Sequence, residues 1–194
     1  RAEFAAMIQK AVNPNPVRQL SPGGFADVPT DYWAATAIAT AYEGRFMDGY
    51  PDNTFQPDRE IPKAQAITAL ANGLKLTPSE EATNIVNTYY TDATQIPTYA
   101  LAPIAAATQA NVVVNYPDVK TLNPQAPLTR AEAAAHLYQA LVRLGKTQPL
   151  PVNVAAANYI VGGPGAVSQT PPTPTTPEET APTETTAPTP DVQP

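Results

Sequence analysis

The residues of this chain best suited to chemistry are three cations that share one place in a recurring pattern. Thr129-Arg130-Ala131-Glu132 fits a capping box, with the Thr129 hydroxyl on the Glu132 amide and the Glu132 carboxylate returning to the Thr129 amide. Arg130 has no part in that box, and a cation in the first helical turn opposes the macrodipole at a typical cost of about 0.3–1 kcal/mol. Yet Arg1 and Lys63 open the aligned stretches Arg1-Ala2-Glu3-Phe4-Ala5 and Lys63-Ala64-Gln65-Ala66-Ile67. A cation at all three helix starts predicts that each N-terminus, with its free amides, holds an anion, and an arginine fork suits a carboxylate. A second reading pairs the same side chains with loop acids such as Asp27, Asp52, Asp92 or Asp118 and fastens one repeat to the next; spacing alone leaves both open.

The aromatic residues carry two readings as well. Trp33, the only tryptophan, falls on an alanine-rich helical stripe with Ala37, Ile38 and Ala41. That placement reads as core, or as one wall of a groove with the ring against a sugar face and the indole N–H free to donate. Tyr99 occupies the matching position in the later unit, and Tyr50 and Tyr116 sit in the loops under the same two readings. His136, the only histidine, has neither cysteine nor a second histidine at metal-ligand spacing, and reads as a surface or partly buried helix residue. Asp48, Asp52, Asp58 and Glu60 cluster in one loop without the order of an EF-hand, and Asp52 reads as satisfying turn amides through its own side chain. No catalytic residue, metal site or cofactor is expected.

The elements that position these residues form a repeat. Gly49-Tyr50-Pro51-Asp52-Asn53-Thr54-Phe55-Gln56-Pro57 leads into a helix at Lys63, and a degraded copy recurs as Asn115-Tyr116-Pro117-Asp118 followed by Thr121-Leu122-Asn123-Pro124. Upstream, Asp27, Trp33, Ala34, Ile38 and Ala41 are answered by Asp92, Tyr99, Ala100, Ile104 and Ala107. One unit is therefore two helices joined by a loop, with Gly49, Tyr50, Asp52, Asn115, Tyr116 and Asp118 shaping the loop. Gly49 or Asn53 is expected to supply positive φ, and Asn115, in the place of Gly49, to tolerate it. Helix caps are expected at Thr30 or Asp31 and at Ser79, and the last helix is expected to turn Ala134, Leu137, Leu141 and Leu144 inward. The units divide as 1–16 (the end of a first repeat, cut through its middle), 25–76 and 90–145, with a packed strap at 146–161. Residues 162–194 read as a disordered Pro-, Thr- and Glu-rich linker, because they hold almost no large apolar side chain to offset ordering entropy.

Composition narrows the function classes. All 11 lysines and arginines lie before residue 147, among 13 of the 17 acids, so no basic nucleic-acid footprint exists. The absence of cysteine removes disulfides, thiolate metal sites and cysteine nucleophiles. No run of apolar residues approaches a membrane span, and the start at Arg1 reads as a fragment whose targeting segment lies elsewhere.

The pattern Phe25-x-Asp27-Val28, Trp33-Ala34, Ala37-Ile38, Ala41, Gly44, the loop Gly49 to Pro57, and Ile61-x-Lys63-Ala64 closely resembles the S-layer homology repeat. The resemblance covers roughly residues 1 to 145. It implies an all-α fold of tandem helix-loop-helix units in a pseudo-threefold assembly with grooves between neighbouring units. It also implies a non-enzymatic, exported protein held at the cell envelope, at the wall surface or on the periplasmic side of an outer membrane. The partner so implied is a peptidoglycan-linked secondary cell-wall polysaccharide, often carrying pyruvate ketals. By similarity the arginine of the family's TRAE motif falls on Arg130 and Arg1, with Lys63 in the second unit, and the groove tryptophan falls on Trp33. Departures are Pro62 and Gln65 where the motif has threonine and glutamate, and the absence of the tryptophan and loop glycine from the third unit. Alanine and glutamine richness with few lysines resembles cyanobacterial versions. Two alternatives from other classes are a protein-interaction or self-assembly scaffold, and a wall hydrolase needing two acids across one cleft.

Overall fold

The computed structural model describes residues 1–163. Among these residues six helices carry the fold: α1 (Ala2–Ala11), α2 (Ala35–Glu43), α3 (Lys63–Gly73), α4 (Ala82–Tyr89), α5 (Leu101–Gln109) and α6 (Arg130–Arg143), with short 3₁₀ segments at Ala93–Gln95, Thr98–Ala100 and Ala155–Tyr159. Among the described residues there is no strand, only the isolated antiparallel bridges Pro62–Pro127 and Val114–Ile160. None of these helices is long and apolar enough to cross a membrane. The linker expected from residue 162 lies, beyond 163, outside the described residues.

The two full units are built alike. Ala34, Ile38 and Ala41 are buried in one as Ala100, Ile104 and Ala107 are in the other, and their small side chains let α1 approach α2 and α3 approach α5 closely. Each loop is pinned by an aspartate. Asp27 accepts from the Phe55 and Gln56 amides, both at 2.7 Å, and Asp92 accepts from the Leu122 and Asn123 amides at 3.0 and 2.7 Å. Asp52 and Asp118 each accept from the amide two residues on, at 3.0 and 2.9 Å, as the turn chemistry predicts. With Phe55 and Leu122 fully buried beneath them, the loops are rigid platforms between helices.

Each loop then docks on the start of the long helix of the preceding unit. The first amide of α1, at Ala2, donates to the Pro57 carbonyl at 2.9 Å, and its counterpart Ala64 in α3 donates to the Pro124 carbonyl at 2.9 Å. Because α6 lies against both α1 and α3, the three equivalent long helices gather about a pseudo-threefold axis.

Several local expectations need correction. Trp33 precedes α2 rather than riding on its stripe: tight turns bond Tyr32 to Pro29 and Ala35 to Tyr32, both at 2.9 Å, so neither Thr30 nor Asp31 caps that helix. Ser79 does not cap α4, which starts after Glu81; the Ser79 amide and hydroxyl instead bond the Gln109 side chain. The inner face of α6 is Ala133, His136, Leu137, Gln139 and Ala140, while Ala134 and Leu144 are exposed, because this helix has neighbours on two sides and buries a differently centred face. Positive φ falls on Asn53 (62°), one of the two residues expected to supply it, and on Gln56 (54°), but not on Gly49 or Asn115. Gly49 is required for space, since a Cβ there would lie 2.2 Å from Phe25 Cε1.

The residues after α6 fold back. Asn115 donates its amide to the Tyr159 carbonyl at 3.0 Å, Val161 donates to the Val113 carbonyl at 2.9 Å, and Ala157, Ile160 and Val161 are buried. The Tyr159 ring meets Tyr116 edge-on at 4.9 Å.

Candidate functional site

The three aligned cations form a ring around the pseudo-threefold axis. Each sits at or beside a helix start and reaches the aligned Glu or Gln in the first turn of the next long helix. Arg1 Nη1 donates to Gln65 Oε1 at 3.0 Å, Lys63 Nζ meets Glu132 Oε1 at 2.7 Å, and Arg130 Nη1 meets Glu3 Oε1 at 3.1 Å. Glu3, Gln65 and Glu132 are themselves equivalent, so the motif's basic and acidic ends bond across units rather than within one. The capping box of α6 forms as the spacing predicts, with the Glu132 amide 3.2 Å from Thr129 Oγ1 and the Thr129 amide 2.9 Å from Glu132 Oε2. Burial pushes the Glu132 carboxyl up, but hydrogen bonds from Lys63 and Thr129 outweigh it and leave the group below its ordinary value.

The three cations differ sharply in surroundings. Lys63 is 4 % exposed and committed to Glu132, so the expectation that it offers its charge to a ligand is corrected: the neighbouring helix supplies the anion. Arg1 is 7 % exposed, donating to the Phe55 and Asp48 carbonyls at 2.7 Å each while its guanidinium lies over the Tyr50 and Phe55 rings at 4.9 and 4.6 Å. At the α1 and α3 starts, moreover, the Ala2 and Ala64 amides are taken by the Pro57 and Pro124 carbonyls. The second reading was also incomplete, because the loop acids bind loop amides and the cations bind carbonyls and helix residues. Arg130 alone of the three is open, with 79 % of its side chain exposed and a partner, Glu3, itself 62 % exposed.

Trp33 is 65 % exposed and stands beside Arg130. A recess of about 360 Å³ runs along α1, with Ala6 and Met7 as its apolar side, Trp33 as a wall, and Glu3, Lys10 and Arg130 as its charges. It adjoins a larger cavity of about 460 Å³ that shares Glu3, Met7, Trp33 and Arg130 and continues past Asp58, Arg59 and Thr129. One unit on, a recess of about 160 Å³ repeats the arrangement along α3, with Gln65, Thr68, Ala69, Asn72 and Tyr99 in the places of Glu3, Ala6, Met7, Lys10 and Trp33. Arg1, Gly49 and Tyr50 line this second groove, Tyr99 is 58 % exposed, and the buried Thr68 hydroxyl has no partner among the described residues.

The third equivalent position is covered at its loop end, while a recess of about 300 Å³ lined by Gln139, Val142, Arg143 and Ile160 remains along α6. Along α6, His136 and Gln139 take the places of Ala69 and Asn72, and both are buried. Asn115, in the place of Gly49, is 1 % exposed and donates Nδ2 to the Val119 carbonyl at 3.1 Å. The folded-back strap covers this loop, and Tyr116 stays 72 % exposed beside Tyr159. His136 is corrected from a surface or partly buried residue to a fully buried one: its Nδ1 accepts from the Val114 amide at 3.2 Å, and burial lowers its pKa to about 4. The sequence does not single out Lys10 as a site residue; its place three residues after Met7, which is itself four after Glu3, on one face of α1, is the signal that finds it.

Comparison with known proteins bears on this arrangement. The family model described as S-layer homology domain matches residues 24–67 and 89–134. The chain is 34 % identical over 146 residues to a cellulosome-anchoring protein of Acetivibrio thermocellus, covering 74 % of this chain and 32 % of that protein. It is 30 % identical over 152 residues to cell surface glycoprotein 1 of the same organism, covering 74 % of this chain and 6 % of that protein. An amylopullulanase of Thermoanaerobacterium thermosulfurigenes is 30 % identical over 145 residues, covering 75 % of this chain and 8 % of the enzyme. The chain thus spans a third or less of the length of these relatives.

Proposed function

Since this chain belongs to the S-layer homology family, we propose that it is a non-catalytic module that anchors a protein to the cell wall by binding an acidic, pyruvylated polysaccharide linked to peptidoglycan. A place at the exported cell surface follows from the same reading, and the relatives named for anchoring and for the cell surface support it. The amylopullulanase shares too little of its length for its name to speak for this segment.

The observation that carries the proposal is the open pair Arg130 and Trp33 on the α1 recess. An exposed ion pair such as Arg130–Glu3 contributes about 0–1 kcal/mol, so a ketal carboxylate in bidentate contact displaces Glu3 at small cost. Met7 and the Trp33 ring then take the apolar face of the sugar, and Lys10 adds a second positive charge. The α3 groove offers a more polar version, with Tyr99 for the ring and Asn72 and the unpartnered Thr68 hydroxyl as hydrogen-bonding groups beside the largely buried Arg1. Lys63 binds no glycan in this scheme; it holds two helices together.

Co-sedimentation with purified wall sacculi, before and after mild-acid removal of pyruvate, tests the proposal. Retention is expected to fall on depyruvylation and in Trp33→Ala and Arg130→Ala, whose thermal midpoints should stay near that of the parent. Equal retention on both wall preparations defeats the carboxylate mechanism. The scaffold alternative draws on the fact that all three cations bond across units; it predicts concentration-dependent oligomers in sedimentation velocity and no glycan retention.

A further inference from the structure

Five of the helices end in the same way. After the C-cap the chain passes through one left-handed residue: Asn13 (φ 46°) behind α1, Arg45 (62°) behind α2, Lys75 (55°) behind α3, Asn111 (58°) behind α5 and Gly145 (67°) behind α6. Glycine and asparagine suit that conformation, and other side chains adopt it at a cost of order 1 kcal/mol. Arg45 and Lys75 are the two exceptions, and both line the same cavity, of about 360 Å³. A cation near a helix C-terminus gains from the macrodipole, but any position in the last turn provides that gain without left-handed strain.

Arg18 is the third cation of the cavity and the fixed one. Its Nε donates to the Tyr42 carbonyl at 2.6 Å, its guanidinium lies 3.6 Å from the Tyr42 ring centre, and Nη2 pairs with Asp48. Arg45 and Lys75 are exposed, and their side chains make neither a hydrogen bond nor an ion pair among the described residues. Three cations therefore face one carboxylate, in a chain whose net charge is −6. Asp48 and Asn72 line both this cavity and the groove of Tyr99, so the two are continuous.

We propose that the cavity of Arg18, Arg45 and Lys75 binds a second anionic group, a carboxylate or a phosphate, on the same wall polysaccharide, where the polymer runs on from the Tyr99 groove. The inference rests on the glycan reading above and extends that site from one sugar to a run of the polymer. Multidentate contact of this kind explains why charge is placed at strained positions: the cations are held outward, unpaired and adjacent to a groove.

The double variant Arg45→Asn, Lys75→Asn tests it, because asparagine fits the left-handed backbone and the two effects have opposite signs. Its thermal midpoint should equal or exceed that of the parent, while its affinity for sacculi-derived acidic polysaccharide should fall roughly tenfold, with a shallower dependence on salt. Titrating the full chain with a phosphodiester-linked teichoic acid and with a carboxylate-bearing teichuronic acid separates the sources: the variant should lose affinity for whichever polymer the parent prefers. If the variant binds as tightly as the parent while Trp33→Ala and Arg130→Ala do not, the second subsite is overturned and the anchoring function stands. If the parent itself is not retained on sacculi, both fall together.

Discussion

At position 49 a methyl group has no room. The backbone there is not left-handed, yet a Cβ would meet the buried Phe25 ring at 2.2 Å and the Thr54 carbonyl at 3.0 Å. Phe25 is held by Tyr42 and Phe55, with ring centres 5.4 Å away in both cases, so it cannot swing aside freely. Gly49→Ala should cost on the order of 1–3 kcal/mol, measured as a lower urea midpoint at unchanged slope. Lys63 and Arg130 make a sharper contrast, since they are the same motif position in opposite surroundings. Lys63→Ala removes the buried cation paired with Glu132, whose carboxylate keeps its Thr129 hydrogen bonds, and should lower stability by about 1–3 kcal/mol, whereas Arg130→Ala should change it by less than about 1 kcal/mol while reducing wall retention. Thermal unfolding and co-sedimentation on the two variants check both signs.

At the scale of elements, the strap decides how many grooves are open. It adds main-chain pairing at Val113 and Asn115 and buries Ile160 and Val161 over the loop that corresponds to Gly49 and Tyr50. Ile160→Ala with Val161→Ala should lower the thermal midpoint and speed hydrogen exchange at the Asn115 amide, whose acceptor is the Tyr159 carbonyl, while leaving exchange at Phe55, held by Asp27, unchanged. Equal exchange at both amides would show that the strap contributes no local protection. The long helices interlock by a rule repeated around the axis, a cation at the start of one reaching the aligned Glu or Gln in the first turn of the next, with the exposure of each link different.

Across the whole molecule the titration of one buried ring sets an acid limit. His136 accepts from the Val114 amide and so must be neutral in the fold, with its pKa lowered to about 4 by burial and by the nearby Lys63 charge. An unfolded histidine titrates near 6.5. As pH falls below about 6.5 the unfolded chain takes up the proton first, stability drops, and the loss levels off below the folded value, at roughly 3 kcal/mol in total. His136→Gln should flatten that decline between pH 6.5 and 4, seen as denaturant midpoints at the two ends. Asp52, Asp118 and Glu132 lie below their ordinary values, so their contribution is present above the carboxylate range and is lost only at lower pH.

The sequence by itself determined the repeat, the all-helical plan, the capping box at Thr129 and Glu132, and the turn role of Asp52 and Asp118, because these depend on residues a few positions apart. It marked Arg1, Lys63 and Arg130 as equivalent, and by spacing they are. Which of them meets solvent was decided by the tertiary structure, since each one's partner belongs to another helix: Gln65 for Arg1, Glu132 for Lys63 and, in the open, Glu3 for Arg130. The same holds for Trp33 against the groove, for His136 beneath the covered loop, and for the meeting of Arg18, Arg45 and Lys75. Burial and charge pairing are properties of surfaces that come together only when distant segments pack, and no local periodicity encodes them.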